Sequence, residues 1–226
     1  MKPKKINVHY FDSKSERMYY VLGAFYGCCT ISESKRLTFR SRHYELVEIV
    51  KKELESEYEI VADSRGKSSY FFSLDYNEHC SPLYHKLNEL GLKPKKSERK
   101  FPKIEESYLS HFVRGFFDAR ANPHFYKNKF CITLTFNHKF LSSLKNIFEQ
   151  EGVSFKLHKD YFTLQKYGGA IYDNVSKIRA FLYKSNRENL LYLKEKKELY
   201  DRAIYYGLNL KEKRKKEKTF KVGLTD

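Results

Sequence analysis

Val21-Leu22-Gly23-Ala24-Phe25-Tyr26-Gly27-Cys28-Cys29 and, ninety-two residues further on, Val113-Arg114-Gly115-Phe116-Phe117-Asp118-Ala119-Arg120-Ala121 decide how this chain folds. Both stretches are largely apolar and helix-compatible, and both put small residues at i and i+4: Gly23 with Gly27, and Gly115 with Ala119. A hydrogen or a methyl group at that spacing leaves one helix face open enough for a second backbone to come close. The pair predicts two helices packed on each other through Gly23, Gly27, Gly115 and Ala119.

The flanking sequence repeats as well. Ser13 and Glu16 have capping-box spacing before a first helix that begins at Met18 and ends near Cys28 or Cys29. In Arg36-Leu37-Thr38-Phe39-Arg40 the alternation sends Leu37 and Phe39 to a core and Arg36, Thr38 and Arg40 to the opposite face. An amphipathic helix over 44–54 follows, then strands over 58–61 and 70–74 around a polar tip that carries Arg65 and Lys67, then a helix over 81–90 stopped by Gly91. The second round has a helix over 107–120, a break at Asn122-Pro123, and a strand over 130–136. That strand turns Phe130, Ile132, Leu134 and Phe136 inward and leaves Lys129, Thr133, Thr135 and Asn137 on the open face. A helix over 139–150, strands over 155–157 and 161–165 and a helix over 178–183 complete it. Leu37-Thr38-Phe39 even recurs as Leu134-Thr135-Phe136. A period of about ninety residues is too long for a solenoid and implies a duplication with pseudo-two-fold symmetry. The expected plan is an N-terminal half over 1–92, a basic linker over 93–106, a C-terminal half over 107–206 whose last segment from 187 is helical, and a solvated basic tail over 207–226.

Composition limits the function. The chain has 226 residues, 41% hydrophobic, with 44 Lys plus Arg against 28 Asp plus Glu, a formal charge of +16. That excess attracts a polyanion, and nucleic acid is the usual one. No apolar run has the length of a signal peptide or a membrane span, so a cytoplasmic, nucleoid-associated protein with no membrane partner is expected. The four cysteines form no C-x-x-C pair, which argues against a zinc site and a disulfide framework and for free buried thiols. Gly66-Lys67-Ser68 lacks the earlier glycine of a phosphate-binding loop, and no H-x-x-x-H or G-x-S-x-G arrangement organises a hydrolytic site.

At this point the residues resemble a known family. The two helices look like degenerate LAGLIDADG motifs. The likeness takes in Tyr10-Phe11 before the first, Leu90-Gly91 with Pro94, Lys96-Ser97 and Phe101-Pro102 before the second, and Leu191-Tyr192-Leu193 with Lys196-Lys197 near the end. The resemblance implies a single-chain, α+β homing-endonuclease fold of two αββαββα halves. The motif helices form their interface, and each half offers a saddle of antiparallel strands to the major groove of double-stranded DNA. The expected nucleic-acid contacts are Arg36, Thr38, Arg40, Arg65, Lys67, Lys127, Lys129, Thr133, Thr135, Asn137, Lys156, His158 and Gln165, polar and basic groups suited to phosphates or base edges.

The family's eighth motif position is acidic, and the two carboxylates hold divalent metal over the scissile phosphates. Here those positions are Cys28 and Arg120, a poor ligand for magnesium and a group that repels it. Asp118 sits about 200° around the helix from Arg120, and Glu33 lies beyond the first helix, so neither is placed to substitute. The expectation is therefore no catalytic residue and no cofactor, with Mg2+ only if cleavage is retained. The chain reads as a monomeric, sequence-preferring DNA-binding regulator or repressor of a mobile element, with its outer helices free for a protein partner. The alternatives are a nuclease with a rebuilt active site and an RNA-binding splicing helper.

Overall fold

The computed structural model describes residues 4–63, 69–126, 129–158, 161–164, 169–184 and 190–222. The first half runs α1 (Glu16–Cys28), β1 (Cys29–Ile31), β2 (Leu37–Ser41), α2 (Tyr44–Glu53), β3 (Val61–Asp63), β4 (Ser69–Leu74) and α3 (Ser81–Glu89). A 3-10 turn at Lys96–Glu98 leads to the second: α4 (Glu106–Arg120), β5 (Ala121–Tyr126), β6 (Lys129–Thr135), α5 (His138–Gln150), β7 (Lys156–Leu157), β8 (Tyr161–Leu164) and α6 (Gly169–Leu182). A last helix, α7 (Lys194–Val222), follows. The two antiparallel sheets have the same connectivity, β1-β2-β4-β3 and β5-β6-β8-β7. The α+β duplication expected from the sequence is the architecture found.

The alternation in β2 and β6 works as the residues demand. Leu37 and Phe39 are buried with their β4 partners Leu74 and Phe72, and Phe130, Ile132 and Leu134 of β6 are buried as well, the Phe130 ring against Tyr200 of α7. Burying each such side chain contributes roughly 1.5–3 kcal/mol and fixes which sheet face looks outward, because a one-residue slip would expose the whole set.

Several local expectations are corrected. The N-cap of α1 is Ser15, whose hydroxyl accepts from the Met18 amide at 3.0 Å, two residues after Ser13. A strand, β1, begins directly at the end of α1, paired with β2 in the register Thr30 to Thr38. Asn122-Pro123 ends α4 but does not end regular structure: β5 runs through it, and Pro123 is tolerated because β5 is an edge strand. β3 starts at Val61, the last residue of the predicted 58–61 stretch. The linker is more than a solvated connector, since Arg99 within it is fully buried. Segment 190–193 is not helical, whereas the helix from Lys194 runs on to Val222.

Candidate nucleic-acid interface

α1 and α4 meet along their small residues. A Cβ on Gly23 would stand 2.0 Å from the Phe112 carbonyl oxygen, and one on Gly115 would stand 1.9 Å from that of Tyr20. At the far end of the seam, a Cβ on Gly27 would meet the Ala119 methyl at 2.5 Å and the Arg120 stem at 2.7 Å. Backbone lies on backbone at two of these crossings, which brings the C-terminal ends of the two helices side by side.

Those ends are closed by cations. The last carbonyls of a helix have no partner within it and carry the negative end of its dipole. At α1, Lys96 Nζ donates to Gly27 O at 3.1 Å, while Arg99 donates to Tyr26 O at 2.7 Å, Cys29 O at 3.0 Å and its own Lys93 O at 2.7 Å. At α4, Lys196 Nζ donates to Phe117 O at 3.0 Å and to Asp118 O and Ala121 O at 2.6 Å each. Burial pulls Lys96 below the usual lysine range and lowers Lys196 to about 8, the nearby Asp118 opposing the shift of Lys196.

Asp118 is not available to a metal. It is buried inside the seam, where its carboxylate accepts from Tyr20 OH at 2.8 Å and from the Leu193 amide at 2.9 Å; burial raises it to about 6 against the pull of Lys196. Glu33 is exposed in the β1–β2 turn.

Between the helix ends and the two sheets lies a cleft of about 610 Å³. Cys28 and five cationic side chains, Arg40, Arg42, Lys96, Arg120 and Lys196, are part of its wall, and none of its lining residues is Asp or Glu. Arg120 is held over it by two hydrogen bonds to Thr135 O, at 3.2 Å from Nε and 2.7 Å from Nη2. The Cys28 thiol donates to Ala119 O at 3.6 Å. Burial keeps it protonated, raising it above the usual thiol range although Lys96, Arg120 and Lys196 pull the other way. These residues do not fit a magnesium ion, which takes oxygen ligands and is held in proteins through one or two carboxylates together with water and phosphate. Among the described residues no group of three His, Cys, Asp or Glu is placed to hold any metal.

The open sheet faces flank this cleft. In the first sheet Arg36 pairs with Asp75, Thr38 Oγ1 shares a 2.9 Å hydrogen bond with Ser73, and Arg40 pairs with Asp63 while its guanidinium lies 4.3 Å from the Phe71 ring centre. In the second, Thr133 and Thr135 alternate with the buried set, Lys156 is exposed, and the His158 ring stacks on Tyr161 at 4.2 Å. Lys129 is the first residue of β6. Arg65, Lys67, Lys127 and Gln165 lie outside the described residues. Asn137 departs from the face expected of it. It is the N-cap of α5, accepting from the Phe140 amide at 2.9 Å and donating to Lys96 O and Arg99 O at 2.7 and 2.9 Å, so it joins α5 to the linker. Arg42, Lys96 and Lys196 were not among the site residues expected from the sequence, although Lys96 and Lys196 belong to the segments that carry the family likeness. The signal for two of them was there: Leu92-Lys93-Pro94-Lys95-Lys96 and Leu193-Lys194-Glu195-Lys196-Lys197 are similar lysine-rich segments, each following the third helix of its half.

Two antiparallel four-stranded saddles joined by a close helix pair constitute the LAGLIDADG homing endonuclease fold, and this chain has it over most of its length. The structure of the LAGLIDADG homing endonuclease I-GzeII in complex with its DNA target is similar with a TM-score of 0.58 and 9% identity, covering 89% of this chain and 92% of that one. I-SmaMI bound to an uncleaved DNA target in the presence of calcium ions is similar at 0.57 and 9%, covering 89% and 93%. The LAGLIDADG meganuclease I-AabMI bound to uncleaved DNA is similar at 0.55 and 14%, covering 86% and 91%. At these identities the likeness is one of fold. No family model matches the sequence, and no curated protein matches it. No helix among the described residues is long and apolar enough to cross a membrane.

Proposed function

We propose that the protein binds double-stranded DNA with sequence preference and does not cut it, serving as a regulator such as a repressor of a mobile element. One observation carries this reading: among the described residues the cleft at the ends of the paired helices is lined by five cationic side chains and by no Asp or Glu, Asp63 and Glu195 reaching its wall as the ion-pair partners of Arg40 and His43. A duplex lying across both saddles presents its central phosphates to that cleft. Arg120 and Lys96 then neutralise phosphate charge, a binding role that needs no metal. Without negatively charged oxygen ligands no metal is held there to activate water or stabilise a leaving oxygen. The strand faces supply the sequence preference, since a β-ribbon fits the major groove and Thr38, Thr133, Thr135 and Lys156 alternate at the two-residue period of groove-facing positions.

Selection from a random duplex library, with and without magnesium, tests this. The expected result is the same enriched site in both arms, protected from nuclease digestion and left intact. Cut products with magnesium or manganese would instead establish a nuclease with a rebuilt site, and tighter binding to structured intron RNA would establish a splicing helper.

A further inference from the structure

We infer that Arg40 reads a guanine in the half of the target beneath the first sheet, that Asp63 positions it to do so, and that the second half reads no guanine at the mirrored place. This rests on the DNA-binding reading above and makes the target asymmetric. The two sheets can be matched residue by residue through their ladders. α1 passes into β1 at Cys29, which pairs with Phe39, and α4 passes into β5 at Ala121, which pairs with Leu134. On the other side Phe39 pairs with Phe72, and Leu134 with Phe162. In this register Arg40 corresponds to Thr135 and Arg36 to Cys131, while across the ladder Phe71 corresponds to Tyr161. The literal Leu-Thr-Phe repeat lies two residues out of step with it, which keeps the face because side chains alternate with a period of two. Where the first sheet carries two arginines, the second therefore carries a threonine and a cysteine.

Arg40 is a donor of fixed direction. Its guanidinium lies 4.3 Å from the Phe71 ring centre, and Nη1 is ion-paired with Asp63 and donates to Ser69 Oγ at 3.2 Å. The partners come from β3 and β4, so two neighbouring strands hold the group against the sheet. Nε and Nη2 make no hydrogen bond among the described residues, and Arg40 is exposed at the cleft end of the sheet. A guanidinium already oriented loses little freedom on binding, and two donors side by side match the O6 and N7 acceptors that guanine shows in the major groove. Asp63 decides between base and backbone. Its carboxylate offsets the charge that would draw a phosphate and repels one that approaches, whereas guanine O6 and N7 are uncharged. At the matched place in the second sheet Thr135 stands across from Tyr161, and the face of that ring is taken by the His158 imidazole at 4.2 Å. A threonine offers one hydroxyl, which suits several bases, and a methyl group, which suits thymine.

Selection from a random duplex library with the full-length wild type should return a guanine at one position beside the centre of the site and none at its mirror position. Wild type, Arg40→Ala and Asp63→Asn are then titrated, across a salt series, on that site and on three duplexes carrying the other base pairs at the guanine position. The wild type should bind each altered duplex about tenfold more weakly. Arg40→Ala should bind all four alike, with an unchanged slope of log affinity against log salt. Asp63→Asn should also lose the discrimination, but its slope should steepen by about one as the released guanidinium turns to a phosphate. An unchanged slope in Asp63→Asn would overturn the positioning role. Equal weakening on all four duplexes by Arg40→Ala, with a slope shallower by about one, would make Arg40 a phosphate contact and overturn the assignment. So would guanine at both mirrored positions or at neither; in each case DNA binding still stands. If the wild type binds no duplex, the DNA-binding reading and the guanine contact both fail.

Discussion

Gly115 has no space for even a methyl group, because the Tyr20 carbonyl occupies the place where a Cβ would go. Gly115→Ala must push two backbones apart and is expected to destabilise the protein by about 3 kcal/mol, overpacking against an unyielding neighbour being at the costly end of such changes. Gly27→Ala meets only side chains and should cost less, so thermal melts of the two variants should rank in that order. The carboxyl of Asp118 gives a second residue-scale test. Raised by burial from 3.8 to about 6, it holds its proton more tightly in the folded state. Its contribution is therefore fully present below about pH 4 and is lost as pH rises to about 6, an amount on the order of 2 to 3 kcal/mol. Lys196, lowered to about 8, has the opposite sense on the alkaline side: its penalty fades as pH rises from about 8 toward 10.5. In urea titrations, wild type minus Asp118→Asn should lose stability between pH 4 and 6; a flat difference across that range would show the carboxyl to be unperturbed.

Each motif helix ends in a set of carbonyls that one or two buried cations satisfy, and this makes the linker an integral part of the first half. Arg99→Met leaves the Tyr26 and Cys29 carbonyls without their donor. Hydrogen bonds to a charged group contribute roughly 1.5–3 kcal/mol each, so a loss of at least about 3 kcal/mol is expected in denaturant unfolding. The sequence showed those elements whose pattern is local. The two-residue alternation of β2 and β6 and the i, i+4 small residues of α1 and α4 need no knowledge of neighbours. β1 was not visible because Cys29-Thr30-Ile31 is too short to show a period, and its strand state comes from pairing with β2. β5 was hidden by Pro123, which reads as a breaker until the strand is known to be an edge. For Lys96, Lys196 and Arg99 the residue type was plain, but a lysine at a helix end and a lysine in solvent look identical until the chain has folded. Asn137 was misassigned for the same reason: its outward register placed it on the sheet, yet its amide is drawn to the linker carbonyls.

Over the whole molecule the +16 charge matters through where it gathers, and the cleft between the halves is where the first saddle and both helix ends contribute cations together. Cys28→Asp combined with Arg120→Asp should weaken metal-free DNA binding several-fold, with magnesium recovering little of the loss, as followed by fluorescence anisotropy at fixed ionic strength. Unchanged metal-free binding would take Arg120 out of the interface. The capping lysines bear on what that double change could restore. A carboxylate at position 28 would arrive among ammonium groups already committed to the helix ends, and it would pair with Lys96 and Lys196 before it met a metal. Neither lysine can be removed without orphaning the carbonyls it closes. The parts that hold the helix ends shut thus also bar a metal from the cleft, so installing one there would demand a new way of ending both helices as well as two acidic residues.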